Sequence, residues 1–193
     1  DVATFIDTHR LAPIIVGGIS MGAAIALHLA VHRPGIVRGL ILARPAWIAA
    51  SAPASDIPNA MVGRRLAELS QEDARKAFEA SEIARLLAEK APDNLASLSG
   101  FFSREPQATT AALLQAIAAD GPGVSEEDLR NLEIPTLIIG HDIDYIHPLS
   151  YAAAISQLIP GSRLVSVTPK AVSRATYLKD FHTAITEFLE TFL

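Results

Sequence analysis

The stretch Pro13-Ile-Ile-Val-Gly-Gly-Ile-Ser-Met-Gly-Ala-Ala-Ile-Ala-Leu-His28 governs how the rest of the sequence is interpreted. Residues 14–17 indicate a short buried strand, and an alanine-rich helix begins directly after Ser20. Between them, Gly18-Ile19-Ser20-Met21-Gly22 fits the G-x-S-x-G pattern, in which a serine stands on a sharp turn between strand and helix. That turn strains the serine backbone by about 1–3 kcal/mol. The positions two before and two after the serine must lack bulk, and we expect Gly18 and Gly22 to meet this need.

The helix that follows Ser20 gives this serine a chemical role. Its unpaired N–H groups and the positive end of its dipole point at the serine, where the negative oxygen of an acyl-transfer intermediate would form. A glycine-rich turn of any α/β domain could show the same five letters. The apolar strand before the turn and the alanine-rich helix after it favour a nucleophilic serine.

The composition excludes several classes of function. The 193 residues are 50% hydrophobic and 19% charged, which is enough for one compact core with an elaboration. The net charge of -5 comes from interspersed acids and bases without a basic face, so nucleic acid is not expected as a partner. The absence of cysteine excludes disulfides, thiolate metal sites and a cysteine nucleophile.

An uncharged run over residues 14–31 is long enough to suggest a membrane span. We interpret it instead as the buried centre of a soluble sheet, because glycine, serine and histidine interrupt it and Pro34-Gly35 ends its helix. No membrane partner is therefore expected. No signal peptide or lipidation motif is visible, and we expect a cytoplasmic protein.

The remaining strand patterns predict a parallel α/β sheet. A nearly continuous apolar run indicates a strand at residues 37–43, as expected for a strand buried on both faces. With it, a buried strand is predicted at residues 136–140 and a further strand at residues 163–168. The first of them completes a β-α-β unit with the serine strand. A closing helix is predicted at residues 177–193, with apolar residues along one face.

The middle of the sequence has a different character. Residues 51–120 lack strand patterns and show helical spacing, interrupted by proline and glycine. We therefore predict an all-helical cap or lid at residues 51–120, inserted into a core formed by residues 1–50 and 121–193.

A polar loop follows the strand at residues 136–140: His141-Asp-Ile-Asp-Tyr-Ile-His-Pro148. Ligands of open α/β sheets bind at the carboxyl ends of the strands, so this loop is a candidate part of a site. Its acids and histidines are close in sequence, but such a loop is more often hydrogen-bonded to itself than to a metal. We predict no metal site and no cofactor.

With these features in order, the sequence resembles the α/β-hydrolase family over nearly its whole length. The serine turn, the strand Val37-Arg-Gly-Leu-Ile-Leu-Ala43, a helical cap, the strand Ile134-Pro-Thr-Leu-Ile-Ile-Gly140 with an acid and a proline beyond it, and a closing F-x-x-x-I-x-x-F-L helix occur in the family's order. The resemblance implies a parallel sheet, of which four strands are visible, and a serine–acid–histidine triad. By position, Ser20 would be the nucleophile and the backbone N–H of Met21 one donor of the oxyanion hole.

Two residues are candidates for the acid. In the family the acid commonly lies four residues before a proline, which selects Asp144, ahead of Pro148, over Asp142. Asp142 lies nearer the end of the strand and stays the alternative. Either residue could also be a turn-forming aspartate that bonds only to its own loop.

The histidine departs from the family's pattern. The family usually carries Gly-His after the last strand, and this sequence has Lys170-Ala171 there. His147 could lean toward the serine, although holding its own loop is the simpler role. His182 lies within the closing helix, where a surface position is expected. Without a base the serine has no acceptor for its proton, and only the residual catalysis of binding and oxyanion hole is left.

The strands that normally precede the serine strand in the family are not in this sequence. The serine strand is then an apolar sheet edge, which is a template for association. We expect either that the sequence is part of a longer polypeptide whose N-terminal segment covers this edge, or that the chain self-associates there. The absence of an initiator Met favours the former.

Three functions are compatible with these patterns. The first is a serine hydrolase acting on a small ester or a related acyl substrate. The second is a non-catalytic binder of a small apolar ligand that keeps the cleft but lacks the triad histidine. Lys170-Ala171 favours the binder, whereas the retained serine turn opposes it. The third is a structural or partner-binding fragment, which the exposed edge favours.

Overall fold

The sheet is parallel, as the sequence predicts. A computed structural model describes residues 1–193. The strands lie in the order β1-β2-β3-β4, and each neighbouring pair is parallel. The predicted α/β fold class is therefore confirmed. The strands are β1 (Ile14–Ile19), β2 (Val37–Ala43), β3 (Thr136–Gly140) and β4 (Arg163–Ser166).

Helices account for most of the remaining chain. No helix is both long enough and apolar enough to cross a membrane. The helices are α1 (Val2–Thr8), α2 (Met21–His32), α3 (Ile57–Glu68), α4 (Gln71–Glu79), α5 (Glu82–Lys90), α6 (Pro92–Ser99), α7 (Gln107–Ala119), α8 (Glu126–Arg130), α9 (Leu149–Leu158) and α10 (Arg174–Glu190).

The serine strand is longer than the sequence predicts. It continues past Gly17 to Ile19, because Gly18 and Ile19 still pair with residues of β2. Strand pairing therefore reaches the residue directly before Ser20, which brings the serine to the end of the sheet.

The chain after β3 also differs from the prediction at the end of β4 and at both ends of α10, which ends at Glu190 rather than at residue 193. β4 ends at Ser166, because the N–H and hydroxyl of Thr168 donate to the carboxylate of Asp180 at 3.0 and 2.6 Å. α10 begins at Arg174, before the predicted position 177. The side chain of Ser173 caps it by accepting a hydrogen bond from the N–H of Thr176.

The central strands β2 and β3 are buried on both faces of the sheet, which explains their apolar sequences. Ile138 of β3 belongs to a cluster that contains Leu27 of α2 and Ile155 of α9. Its neighbours Leu137 and Ile139 belong to a separate cluster, which contains residues of α10. Successive residues of β3 thus serve opposite faces of the sheet.

Residues 57–119 contain only helical elements and lie between β2 and β3 in the chain. We call them the helical segment. Its all-helical content agrees with the sequence, whereas its role as a cap and the bounds at residues 51 and 120 stay predictions. The segment has an apolar core of its own, in which α3 packs along α7. The larger buried members of this core are Val62, Leu66, Phe78, Leu87, Leu98, Phe102 and Leu114.

β1 lies at the edge of the sheet, because it pairs with β2 alone. Apolar side chains beside this edge are exposed, among them Val2, Phe5, Leu11 and Ile25. They line a shallow groove along β1 and α2. The segment or second copy expected to cover this edge stays a prediction.

Candidate active site

Ser20 stands on the sharp turn between β1 and α2, with backbone angles of φ 57° and ψ -117°. A positive φ is unfavourable for a residue with a Cβ, so the surrounding structure must hold the turn. Part of that support comes from the Ser20 N–H, which donates to the carbonyl oxygen of Ala43 at 3.0 Å. The turn has the strained geometry that exposes a nucleophile.

The turn leaves no room for a side chain at Gly18. A Cβ there would lie 2.1 Å from the carbonyl carbon of Gly22 and 2.2 Å from its oxygen. A Cβ added at Gly22, in contrast, would meet no atom within 4 Å. The expectation that both glycines supply space is therefore correct for Gly18 and wrong for Gly22, because a side chain at position 22 would extend into open space.

Gly18→Ala is expected to lower the free energy of unfolding by about 3 kcal/mol, because the added methyl group must displace the backbone at the start of α2. The matched variant Gly22→Ala adds the same methyl group where nothing opposes it. It should change the free energy of unfolding by no more than about 1 kcal/mol. Urea denaturation of both variants measures the difference. Equal loss of stability would contradict the close approach of β1 and α2.

The first turn of α2 directs its N–H groups toward the serine turn. The N–H groups of Ala23 and Ala24 donate to the carbonyl oxygen of Ser20, at 2.9 and 3.3 Å. The N–H of Met21 is the first of the helix, and no carbonyl one turn earlier is available to it within α2. It stays a candidate donor to an oxyanion at Ser20.

The carboxyl ends of the strands bring distant parts of the chain together around the serine. The register aligns the ends of β1, β2 and β3. The residues that follow these strands therefore meet at one edge of the sheet, where ligands of such sheets bind. They are Ser20 after β1, Arg44 after β2, and residues 141–148 after β3, which we call the acid loop.

A chain of hydrogen bonds joins Ser20 to the acid loop. The Nε2 atom of His147 lies 2.8 Å from Oγ of Ser20. On the other side of the ring, Nδ1 of His147 lies 3.0 and 3.1 Å from the two carboxylate oxygens of Asp144. In this order, the imidazole can take the serine proton while the carboxylate orients the ring.

Asp144 is completely buried and bonded on both oxygens. Its Oδ1 accepts hydrogen bonds from Nδ2 of Asn94 at 2.9 Å and from the backbone N–H of His147 at 3.0 Å. Its Oδ2 accepts from Nε of Arg44 at 2.7 Å, and Nη2 of the same guanidinium lies at 2.7 Å. The carboxylate therefore holds the backbone as well as the ring of His147.

These partners keep the carboxylate of Asp144 charged. Burial by itself raises the pKa of a carboxyl, but the hydrogen bond and charge of His147, the charge of Arg44 and the hydrogen bond of Asn94 outweigh it. The pKa of Asp144 is held well below its usual value. At neutral pH this residue is an ionised acceptor for the imidazole.

Asp142, the alternative acid, has a different environment. Its side chain is exposed and takes part in no hydrogen bond or ion pair. The structure thus brings Asp144, and not Asp142, into contact with His147.

The histidines separate in the same way. His182 is exposed on α10, as expected for a surface position. His147 contacts Asp144 of its own loop, as the simpler role in the sequence analysis implies. It also reaches Ser20, a contact that this simpler role does not include. Lys170, at the family's usual histidine position, has its ammonium 4.9 Å from the ring centre of Tyr177. Burial, assisted by the charge of Arg44, lowers the pKa of Lys170.

Sequence reasoning missed two residues of this site. Arg44 directly follows a buried parallel strand, and that position was the available signal that it would lie near Ser20. Asn94 comes from α6 in the helical segment, and no pattern in the sequence marks it. Both donate to Asp144.

Arg44 offers the His147 ring a second hydrogen-bonding state. If Nδ1 carries the proton, it donates to Asp144, and the Nε2 lone pair can accept the proton of Ser20. If Nε2 carries the proton, Nδ1 can accept from Nη2 of Arg44 at 3.3 Å, and the ring cannot act as a base. The shorter contacts to the charged carboxylate, at 3.0 and 3.1 Å, favour the first state.

Two more buried ionisable groups lie near these residues. Burial raises the pKa of Asp56, although the hydrogen bond from Asn59 and the charge of His147 lower it. The Oδ2 atom of Asp56 has no hydrogen-bond partner. His141 has no hydrogen-bond partner on either ring nitrogen, and its Nε2 lies 3.6 Å from Oδ2 of Asp144. Burial lowers the pKa of His141. Both groups are thus shifted toward their neutral forms, His141 beside Asp144 and Asp56 near His147.

A cavity of about 490 Å³ opens between α2 and α7. Its lining includes Met21, the residue next to Ser20, and Trp47 from the loop after β2. This volume lies in the range of about 300–1,000 Å³ that is usual for small-molecule sites. The other apolar side chains of the lining are Ala24, Ile25, Leu113, Ala116, Ile117 and Pro122.

Comparison with known proteins identifies a family for this arrangement. A family model described as "alpha/beta hydrolase fold" matches residues 1–171. No curated protein matches the sequence.

Solved structures share the same fold. The enol-lactonase from Burkholderia xenovorans LB400 has a TM-score of 0.69 at 21% identity, over 98% of this chain and 70% of that chain. A thermophilic esterase from Thermogutta terrifontis, with malate bound, has a TM-score of 0.68 at 22% identity, over 99% of this chain and 70% of that chain. MenH from S. aureus has a TM-score of 0.68 at 18% identity, over 98% of this chain and 73% of that chain.

Proposed function

The chain belongs to the α/β-hydrolase fold family, and we propose that it is a serine hydrolase acting on a small ester or a related acyl compound. The observation that carries this proposal is the contact of 2.8 Å between Nε2 of His147 and Oγ of Ser20, with the Asp144 carboxylate behind the ring. The activities named for the enol-lactonase and the esterase support ester or lactone chemistry by analogy of fold.

In the first step, Oγ of Ser20 attacks the carbonyl carbon of the substrate while its proton passes to Nε2 of His147. The imidazolium that forms keeps its proton on Nδ1 and donates it in a hydrogen bond to Asp144, whose negative charge stabilises the ring. The N–H of Met21 donates to the oxygen that becomes negative. The tetrahedral intermediate then collapses, and the alcohol leaves with the proton returned by His147.

In the second step, a water molecule hydrolyses the acyl-serine. Its proton passes to Nε2 of His147 as its oxygen attacks the acyl carbon. Collapse of this intermediate restores the hydroxyl of Ser20 and releases the carboxylic acid. The same imidazole thus serves as base and acid in each half of the reaction.

The cavity between α2 and α7 supports a small and largely apolar acyl or alcohol group. Met21, the residue next to Ser20, lines it, so a group bound there would lie near the serine turn. Most of its lining residues are apolar, with His28 and Asp120 as the ionisable ones, so the cavity favours a largely apolar group.

The test is covalent labelling with a fluorophosphonate probe, which modifies an activated serine. We expect the native chain to take one label at Ser20, because His147 can remove the hydroxyl proton. Ser20→Ala should take none. Ser150→Ala, which changes an exposed serine at the start of α9, should be labelled like the unaltered chain. Mass spectrometry of the labelled peptide identifies the site. Absence of label on the folded chain would contradict the proposal.

A second candidate function is a non-catalytic binder of a small apolar molecule. The observation that favours it is the guanidinium of Arg44, which bonds to Asp144 and lies 3.3 Å from Nδ1 of His147. Its positive charge opposes the formation of an imidazolium at His147. A folded chain that resists the probe, but whose melting temperature rises with short-chain apolar esters, would favour this function over hydrolysis.

A further inference from the structure

Asn94 links the helical segment to the acid loop. It lies on α6 and is only 2% exposed. A polar side chain is rarely buried to this extent unless it is paired with another buried polar group. Its partners lie in the acid loop, about 50 positions later in the chain. The contact therefore joins two parts of the molecule that the sequence keeps apart.

The side-chain amide of Asn94 uses both its donor and its acceptor on this loop. Its Nδ2 donates to Oδ1 of Asp144 at 2.9 Å. Its Oδ1 accepts from the backbone N–H groups of Tyr145 and Ile146, at 2.7 and 3.2 Å. These two residues are the ones that separate Asp144 from His147. One amide thus holds the carboxylate and the backbone that leads to the imidazole.

A second contact, which does not involve Asn94, anchors the loop in the same place. The side chain of Ile146 is 5% exposed and belongs to the apolar core of the helical segment, together with Leu98 and Phe102. Tyr145 packs against that core. The turn between Asp144 and His147 is therefore seated in the helical segment, although both residues follow a strand of the sheet.

We propose that the helical segment positions the acid and base of the site, with Asn94 as the positioning residue. The inference rests on the proposed function, since positioning matters only if His147 serves Ser20 as a base. Asn94 touches no reacting atom and acts through Asp144 and the backbone before His147. It follows that α6 cannot move away from the sheet while the Ser20–His147–Asp144 chain stays assembled. The cavity between α2 and α7 is an opening for substrate that does not require α6 to move.

The first readout is amide hydrogen exchange, which reports on anchoring without requiring any activity. Asn94→Ala should remove the protection of the Tyr145 and Ile146 amides, because their acceptor is lost. Ser97→Ala is the matched control, since Ser97 is exposed on the same helix. It should leave that protection unchanged.

The second readout is the rate of fluorophosphonate labelling at Ser20. Asn94→Ala should slow it on the order of 100-fold, the loss expected when a catalytic group is misplaced by about 1 Å. Asn94→Leu serves if the alanine variant fails to fold, because it keeps most of the volume of the buried side chain. It can neither donate to Asp144 nor accept from the two backbone amides, so it should lose protection and label slowly.

The outcomes separate the two proposals. Lost protection in Asn94→Ala together with slow labelling of a folded variant supports the positioning role. A folded Asn94→Ala or Asn94→Leu that labels at the native rate overturns this inference alone, as does unchanged protection in Asn94→Ala. A native chain that takes no label overturns the proposed function, and this inference with it.

Discussion

His147→Ala is expected to lower kcat for hydrolysis of an activated ester by about 10⁴–10⁶-fold. The ring is the only side-chain base in contact with Oγ of Ser20, at 2.8 Å, so its loss leaves the serine proton without an acceptor. The fold should persist, because Asp144 still accepts the backbone N–H at position 147. Steady-state kinetics with a p-nitrophenyl ester measures the effect.

His182→Ala is the matched control for this variant. It removes an imidazole that is exposed on α10, and we expect kcat to stay within about twofold of the native value, as is usual for a surface substitution. If His147→Ala retained native activity, the contact with Ser20 would have no catalytic role. If His182→Ala were the inactive variant, the base would have to be sought on α10 instead.

Asp144→Asn is expected to lower kcat by about 10³–10⁴-fold. An amide in place of the carboxylate can no longer stabilise an imidazolium at His147. In addition, the guanidinium of Arg44 would then face that imidazolium with its charge no longer compensated. The substitution also breaks the buried ion pair with Arg44, which lowers the free energy of unfolding by about 3–5 kcal/mol. The kinetics should therefore be measured on protein whose folded fraction is known from thermal unfolding.

Asp142→Asn changes the same residue type two positions earlier in the acid loop. Because Asp142 is exposed and bonds to no side chain, this variant should keep native kinetics and native stability. A larger loss in Asp142→Asn than in Asp144→Asn would reverse the assignment of the acid. Equal and small losses would show that neither carboxylate takes part in the hydrolysis that is measured.

Much of the architecture could be predicted because it depends on short-range patterns. The strands β2 and β3 have the bounds that their sequences indicate. Predictions were less accurate where a distant partner ends an element. Thr168 was predicted to lie in the last strand, but it lies outside β4 and donates hydrogen bonds to Asp180 on α10.

The candidate site was predictable only in part. The spacing to Pro148 pointed to Asp144, and the five-residue turn pointed to Ser20, since each signal lies within a few residues of its target. The family pattern placed the histidine after the last strand, where the chain has Lys170 instead. Nothing within the acid loop distinguished a histidine that holds the loop from one that also reaches the serine.

The residue order alone therefore determined the parallel sheet, the strained serine turn and the helical content of residues 57–119, because turns, helices and buried strands depend on neighbours in sequence. Only the tertiary structure decided that His147 meets Ser20, from which it is separated by 127 positions, and that Arg44 and Asn94 share the carboxylate of Asp144. Such contacts depend on the register of the strands and on the path of the acid loop against the helical segment. Neither of these is recorded in any local pattern of residues.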